Sequence, residues 1–288
     1  MSQPQHELTT PPTAALPNRT RRSASIPRRL VSEGKYHLLP VYALLTTSDL
    51  AREGIRNSGS FRFADHIYRN EPSGRFGVGR MLDRVLLRLK GARSMRSRFL
   101  HSRLEIMRAI EATDDHRPMT VVSVPCGIAR DLFDVAETLR RSDPLRYERT
   151  TFIGIDIDPE PLELSRQLAD GHDCFEFTCG DALKPGTIPT GVDVIVSLGF
   201  GEFLADGILY DFYRRALCAL RPGGRFITSA MNRDRVSDYL ARELAELHTH
   251  YRSTHQLRAL LTSAGFASVR TTQDTVGLQT LAVAERGH

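Results

Sequence analysis

The sequence contains no tryptophan, and Phe and Tyr together bring the aromatic fraction to only 7%. Surfaces that stack successive bases need rings near their cations, and the most basic stretch of this chain has only Phe76 and Phe99. Cysteine is scarce too. Cys126, Cys174, Cys179 and Cys218 include no C-x-x-C pair, so neither a disulfide framework nor a thiolate metal site is indicated, and small buried free thiols are expected. No run approaches the ~18 apolar residues of a membrane span, and the N-terminal arginines are not followed by the apolar core of a secretory signal. A cytoplasmic protein without a membrane partner is therefore expected.

What is present suits a folded chain. With 288 residues, 41% of them hydrophobic, one large domain with extensions can bury a substantial core. Residues 1–30 are the exception: rich in Pro, Ser, Thr and Arg and without apolar periodicity, they read as a disordered tail. Residues 31–113 carry apolar positions at three and four spacing over Leu38–Leu45, Leu50–Ile55, Met81–Leu89 and Phe99–Ile110, a series of helices punctuated by glycines. Charge is concentrated there: Arg75 to Arg108 holds ten basic and two acidic residues, whereas 109–288 is net negative. Two readings stay open for this cationic segment. It is a solvated face that pairs with acids of the rest of the chain, or it steers an anionic acceptor or a nucleic acid.

The remainder, residues 114–288, is organised around Val121-Val-Ser-Val-Pro-Cys-Gly-Ile-Ala-Arg-Asp131. Val121 to Val124 reads as a strand buried on both faces, Pro125-Cys126-Gly127 as a tight turn, and Leu132, Phe133, Val135, Ala136 and Leu139 as the stripe of a helix. Turns of this kind lie at the carboxyl ends of strands, where open α/β sheets bind ligands. Thr151 to Asp156 is a second apolar strand ending in an acid, followed by Asp158-Pro159 as a helix start. Further strands follow at Cys174–Thr178 and Val192–Ser197, then at Leu220–Thr228 and Leu278–Ala284, and Asp274–Gly277 turns the last antiparallel pair. A helix over Arg235–Leu247, with Val236, Leu240, Leu244 and Leu247 on one face, and another from Gln256, capped by Ser253 or Thr254, lie between.

The order, spacing and turn chemistry from Val121 to Ala284 resemble the class I S-adenosylmethionine-dependent methyltransferases. Tyr68–Arg75, Gly79–Asp83 and Arg96–Arg98 also look like the N-terminal part of a little-characterised bacterial group of such enzymes. The resemblance implies a Rossmann-like α/β fold with a seven-stranded, mostly parallel sheet, helices on both faces and an N-terminal helical lid. It implies S-adenosylmethionine as cofactor, with Pro125, Cys126 and Gly127 along its methionine part. Asp156 would hold the ribose, with Ile157 beside it, Asp181 and Ala182 would read and cover the adenine, and Ser197 and Leu198 would lie near the sulfonium. The chain departs from the family at Pro125 and Ala129, where glycines are usual, and at Ser123, where the strand usually bears an acid. Pro-x-Gly-x-Ala also lacks the closely spaced glycines on which a dinucleotide seats its pyrophosphate.

Methyl transfer needs alignment and exclusion of water rather than covalent help from the protein, and a base only where the acceptor must lose a proton. Glu202, after Gly199-Phe-Gly201, is the candidate catalytic residue, with a helix-cap or solvent role as the alternative. Tyr210, Tyr213 and Tyr251 are weaker candidates. His248, His250 and His255 cluster in a loop, but no carboxylate or cysteine completes a metal set, and no metal is expected. A small-molecule acceptor is the expected partner. Methylation of RNA or protein, or consumption of S-adenosylmethionine without methyl transfer, are the alternatives.

Overall fold

The computed structural model describes residues 26–57, 59–113 and 117–288. The helical segment comprises α1 (Ile26–Ser32), α2 (Leu38–Leu45), α3 (Asp49–Arg56), α4 (Phe61–Arg69), α5 (Phe76–Arg88) and α6 (Lys90–Glu111). Local chemistry sets its boundaries. Ser48 and Ser60 cap α3 and α4 by accepting from the amides of Ala51 and Phe63, and Asn70 ends α4 in the left-handed conformation. A Cβ on Gly79 would lie 2.2 Å from the Thr47 carbonyl oxygen, so only glycine lets α5 approach the turn between α2 and α3 this closely. Asp83, fully buried on α5, ties this layer together by accepting from the Ser48 hydroxyl and from the amides of Leu50 (3.2 Å) and Ser73 (3.0 Å).

The N-terminal boundary differs from the sequence reading. Ile26 and Leu30, assigned there to the tail, lie on α1 and pack against Leu38, Ile55 and Leu244. Two apolar residues four apart, with Arg29 reaching Glu243, suffice to hold this turn onto the fold. Residues 1–25 of the expected tail lie outside the described residues.

The sheet unit runs β1 (Met119–Ser123), α7 (Arg130–Ser142), α8 (Pro144–Glu148), β2 (Thr150–Asp156), α9 (Pro159–Leu168), β3 (Phe175–Cys179), β4 (Val192–Ser197), α10 (Asp206–Ala219), β5 (Leu220–Met231), α11 (Arg235–Ala245), α12 (Thr254–Ser263), β6 (Ser268–Gln273) and β7 (Gln279–Glu285). The seven strands are ordered β3-β2-β1-β4-β5-β7-β6. The first five are parallel, and β7 inserts antiparallel between β5 and β6, as the short turn at Asp274–Gly277 requires. One face buries Val122, Ile155, Ile195 and Phe226 against α10 and α12; the other buries Val121, Phe152 and Val196 against α7. The second face also receives Ile106, Ala109 and Ile110. The carboxyl-terminal half of α6 is therefore part of the sheet unit's core, and a boundary at Thr113 separates a helix from the strands it covers.

Two further details concern the inserted helices. Leu244 of α11 packs into the N-terminal helical cluster, so α11 braces α1 and α3. The expected apolar face at Val236 and Leu240 lies outside the described side chains. Ser253 and Gln256 form a full capping box on α12.

At the start of α9, Asp158 accepts from the amide of Glu160 at 3.1 Å and Pro159 occupies the first helical position. Asp158→Ala is expected to lower stability by about 1 kcal/mol and leave cofactor affinity nearly unchanged. Thermal unfolding with and without ligand checks this, and a large affinity loss would contradict the capping assignment.

Candidate functional site

All of the expected cofactor residues gather at the carboxyl edge of the parallel strands. The turn after β1 carries Gly127 with φ +52, and its amide donates to Asp156 at 2.8 Å, joining the first turn to the tip of β2. The other Asp156 oxygen accepts from the amide of Asp158 at 3.0 Å. Among the described residues no cation pairs with this carboxylate, although it is nearly buried. Its pKa is raised, chiefly by burial, against the lowering by the Asp158 and Gly127 amides. A buried acid held only by neutral donors fits the further hydroxyls of a ribose. Ile157 beside it leaves a large apolar side chain 49% exposed, an available face for an aromatic base. Ala182 is buried, and Asp181 accepts from the Leu183 amide at 2.9 Å in the turn after β3. At the tip of β4 the Ser197 hydroxyl is buried without a hydrogen-bond partner among the described residues, and Leu198 is half-buried beside it. The residues present thus fit an adenosine-containing cofactor.

The helical layer closes this edge. The Cβ of Phe61, on α4, lies 3.3 Å from the point where a Gly127 side chain would begin. Arg62 pairs with Glu160 and Asp65 with Arg130, so α4 is clipped to both sides of the cofactor turns. The α6 residue Arg98 crosses above Gly199 and donates to Glu202 Oε1 (3.1 Å) and to the Tyr68 hydroxyl (2.9 Å). Gln279 of β7 also donates to Glu202 Oε1, at 3.2 Å. Burial is the largest influence on the Arg98 guanidinium and works against its charge, yet Tyr68, Glu202 and Asp131 outweigh it and its pKa moves up. Arg252, almost fully buried, holds the loop carrying Glu202 by donating to the carbonyls of Gly201 and Leu204.

Glu202 therefore sits beside the β4 tip, as the sequence suggested, but as an ion-pair partner of a buried arginine and not as a lone carboxylate. The tyrosines separate: Tyr213 is core, packed edge-on against Phe226; of the loop histidines, His250 donates its amide to the Glu202 carbonyl, and its own carbonyl accepts from the Arg252 guanidinium at 3.5 Å. The thiols also differ from expectation. Cys126 and Cys174 are half-buried, but Cys179 and Cys218 are exposed. Their positions at the end of β3 and of α10 put them on outward-facing surface that the strand and helix patterns alone do not distinguish. Cys126 has a pKa well above the usual thiol value, from burial first and then from Asp156 and Asp131, which argues against a nucleophilic thiolate.

Arg98, Tyr68, Gln279 and Asp131 were not singled out as site residues from the sequence. Asp131 lies in the first turn of α7, accepts from the Leu132 amide at 3.0 Å, and burial pushes its pKa up to about 6. A carboxyl raised above its unfolded value of 3.8 lowers stability as pH rises through that interval, and the full penalty is present above it. Asp131→Asn is thus expected to raise the melting temperature at pH 8, by a free energy on the order of 2–3 kcal/mol, and to lose most of that advantage by pH 4. Melting curves of both proteins across this pH range are the check; a gap that does not change with pH contradicts it.

A family model described as "Putative methyltransferase" matches residues 43–286. Among solved structures, a possible exported protein from Bordetella parapertussis superposes with a TM-score of 0.75 at 23% identity, covering 91% of this chain and 93% of that one. The CurJ carbon methyltransferase gives a TM-score of 0.58 at 16% identity, covering 92% and 72%. Magnesium protoporphyrin IX methyltransferase from Synechocystis, with bound S-adenosylhomocysteine, gives 0.52 at 13% identity, covering 82% and 97%. These likenesses establish the fold. None of the curated proteins matches the chain.

Proposed function

We propose that this chain, which belongs to the methyltransferase family matched over residues 43–286, transfers the methyl group of S-adenosylmethionine to a small-molecule acceptor. One observation carries the choice of acceptor: the chain's own helices cover the cleft. With α4 clipped over Gly127 and Arg98 laid across the β4 turn, the approach to Ser197 is bounded by protein on the side from which an RNA or protein substrate would come. The buried and unpartnered atoms around it, Ser197 Oγ, Arg98 Nε and Gln279 Oε1, support an acceptor with polar groups of its own.

Bound at these turns, S-adenosylmethionine supplies an electrophilic methyl on a sulfonium. Asp156 would accept the ribose hydroxyls, Ile157 and Ala182 would enclose the adenine, Asp181 would read its edge, and Pro125, Cys126 and Gly127 would line the methionine part. Where the family has an acid at the position of Ser123, Asp131 provides one from the start of α7, close enough to Cys126 to raise its thiol pKa. Glu202 keeps Oε1 on Arg98 and Gln279, which leaves Oε2 to accept a hydrogen bond from the acceptor's hydroxyl or amine. Oε2 would thereby hold the acceptor in line and take up the proton that the hydroxyl or amine must lose.

A thermal-unfolding screen of metabolites in the presence of S-adenosylhomocysteine tests the acceptor class. A true acceptor at 100 times its dissociation constant stabilises by about 2.7 kcal/mol. Tight, salt-sensitive binding of RNA without any metabolite effect would overturn the reading.

A further inference from the structure

Helix α5 turns an apolar row to solvent. Phe76, Val78 and Met81 are 84%, 59% and 66% exposed, and Val85 and Leu89 continue the row. Positions 78, 81 and 85 share one face of α5, Leu89 at its carboxyl-terminal cap continues that face, and Arg80, Arg84 and Arg88, spaced four apart, form a second row beside it. All three arginines are exposed, and none has an ion-pair partner among the described residues. The two acids of the stretch from Arg75 to Arg108 are not on this surface: Asp83 is buried beneath α5, and Glu105 is buried against Arg270 and Arg108. The neighbouring α2 adds exposed Val41 and Leu44.

An apolar row beside an uncompensated cationic row on one exposed helix is the pattern of an interfacial helix. We propose that α5 docks this protein on the headgroup face of a bilayer containing anionic lipid. Met81, Val85 and Leu89 enter the boundary with the acyl chains, and Arg80, Arg84 and Arg88 meet the lipid phosphates. Charge complementarity selects this occupant. A second copy meeting this face across a two-fold axis would bring the arginine rows together with no exposed carboxylate between them. Nucleic acid would satisfy the arginines but leave the apolar row in water, and Phe76 is the only ring on it. The first 25 residues of the chain, with three arginines and one glutamate, do not complement it either. Such docking needs no spanning segment, and among the described residues no helix is long and apolar enough to cross a membrane. It is independent of the reaction proposed above.

The test is sedimentation of the full-length protein with vesicles of phosphatidylcholine alone or mixed with phosphatidylglycerol. Two surface variants accompany it, Arg80→Gln/Arg84→Gln/Arg88→Gln and Met81→Asp/Val85→Asp, with melting temperatures confirming that both fold. Wild type is expected to bind only the mixed vesicles. The triple variant should bind roughly a hundredfold more weakly, at about fivefold per cation, and the apolar variant should also lose binding. If Met81→Asp/Val85→Asp is unstable, Met81→Gln/Val85→Thr replaces it, with the same loss expected. Three results would overturn the proposal: no vesicle binding by wild type, RNA binding that the arginine variant loses and the apolar variant keeps, or a dimer that the apolar variant dissociates.

Discussion

Replacing Asp156 with alanine is expected to weaken S-adenosylhomocysteine binding by about ten- to a hundredfold, equivalent to 1.5–3 kcal/mol for a charged acceptor serving two hydroxyls. The carboxylate is nearly buried at the tip of β2, joins the Gly127 turn to the Asp158 turn through 2.8 and 3.0 Å bonds, and has no cation beside it among the described residues. Its removal therefore also frees two backbone amides. Asp156→Asn separates the two effects: it can keep a bond to one amide while losing the charge, so it should fold nearly as well as wild type yet bind less tightly. Calorimetric titration of both variants checks this. Equal and small losses for Asp156→Ala and Asp158→Ala would remove Asp156 from the site.

The second large effect concerns the buried pair. Arg98→Ala is expected to cost about 3 kcal/mol of stability, because it leaves the Glu202 carboxylate, 13% exposed, with Gln279 as its one remaining side-chain partner among the described residues. Arg98→Lys should recover little, since an ammonium cannot serve Glu202 and the Tyr68 hydroxyl together as the guanidinium does. Arg98→Met/Glu202→Gln should be markedly more stable than the sum of its single variants predicts. A double-mutant cycle by urea denaturation measures that coupling, and additivity to within about 0.5 kcal/mol would show that the two side chains do not act as a pair. Glu202→Gln should fold and bind S-adenosylhomocysteine yet turn over slowly, because Oε2 can no longer receive a proton.

How far the sequence could be read depended on how local each signal was. The strands around Val121, Ile153 and Ile195 announce themselves as short apolar runs, and Asp156 and Asp158 separate into strand tip and helix cap because a proline follows only the second. Helices with strict spacing, such as Leu38–Leu45, were legible to the residue. The chemistry contributed by the lid was not. Arg98 lies 104 positions before Glu202 and Tyr68 lies 30 before Arg98, and nothing in either neighbourhood indicates that they meet. The same holds for the boundaries. Ile26 and Leu30 look like part of a tail until Leu244 supplies the surface they cover, and Ile106 and Ile110 look like lid until Val121 and Leu132 are placed against them. The basic stretch divides: Arg98 and Arg103 pair with acids beyond it and Arg108 with Glu105 inside it, whereas Arg80, Arg84 and Arg88 face solvent.

The central claim is that the cleft at the carboxyl edge of the sheet passes a methyl group to a small acceptor. Incubating the protein with S-adenosylmethionine labelled in the methyl carbon, in an extract containing metabolites, RNA and protein, tests it most directly. The account predicts S-adenosylhomocysteine as the adenosine-containing product and label in a low-molecular-mass compound, with both strongly reduced in Asp156→Ala when S-adenosylmethionine is kept near the wild-type dissociation constant. Methylthioadenosine as the product, or label confined to RNA or protein, would contradict it.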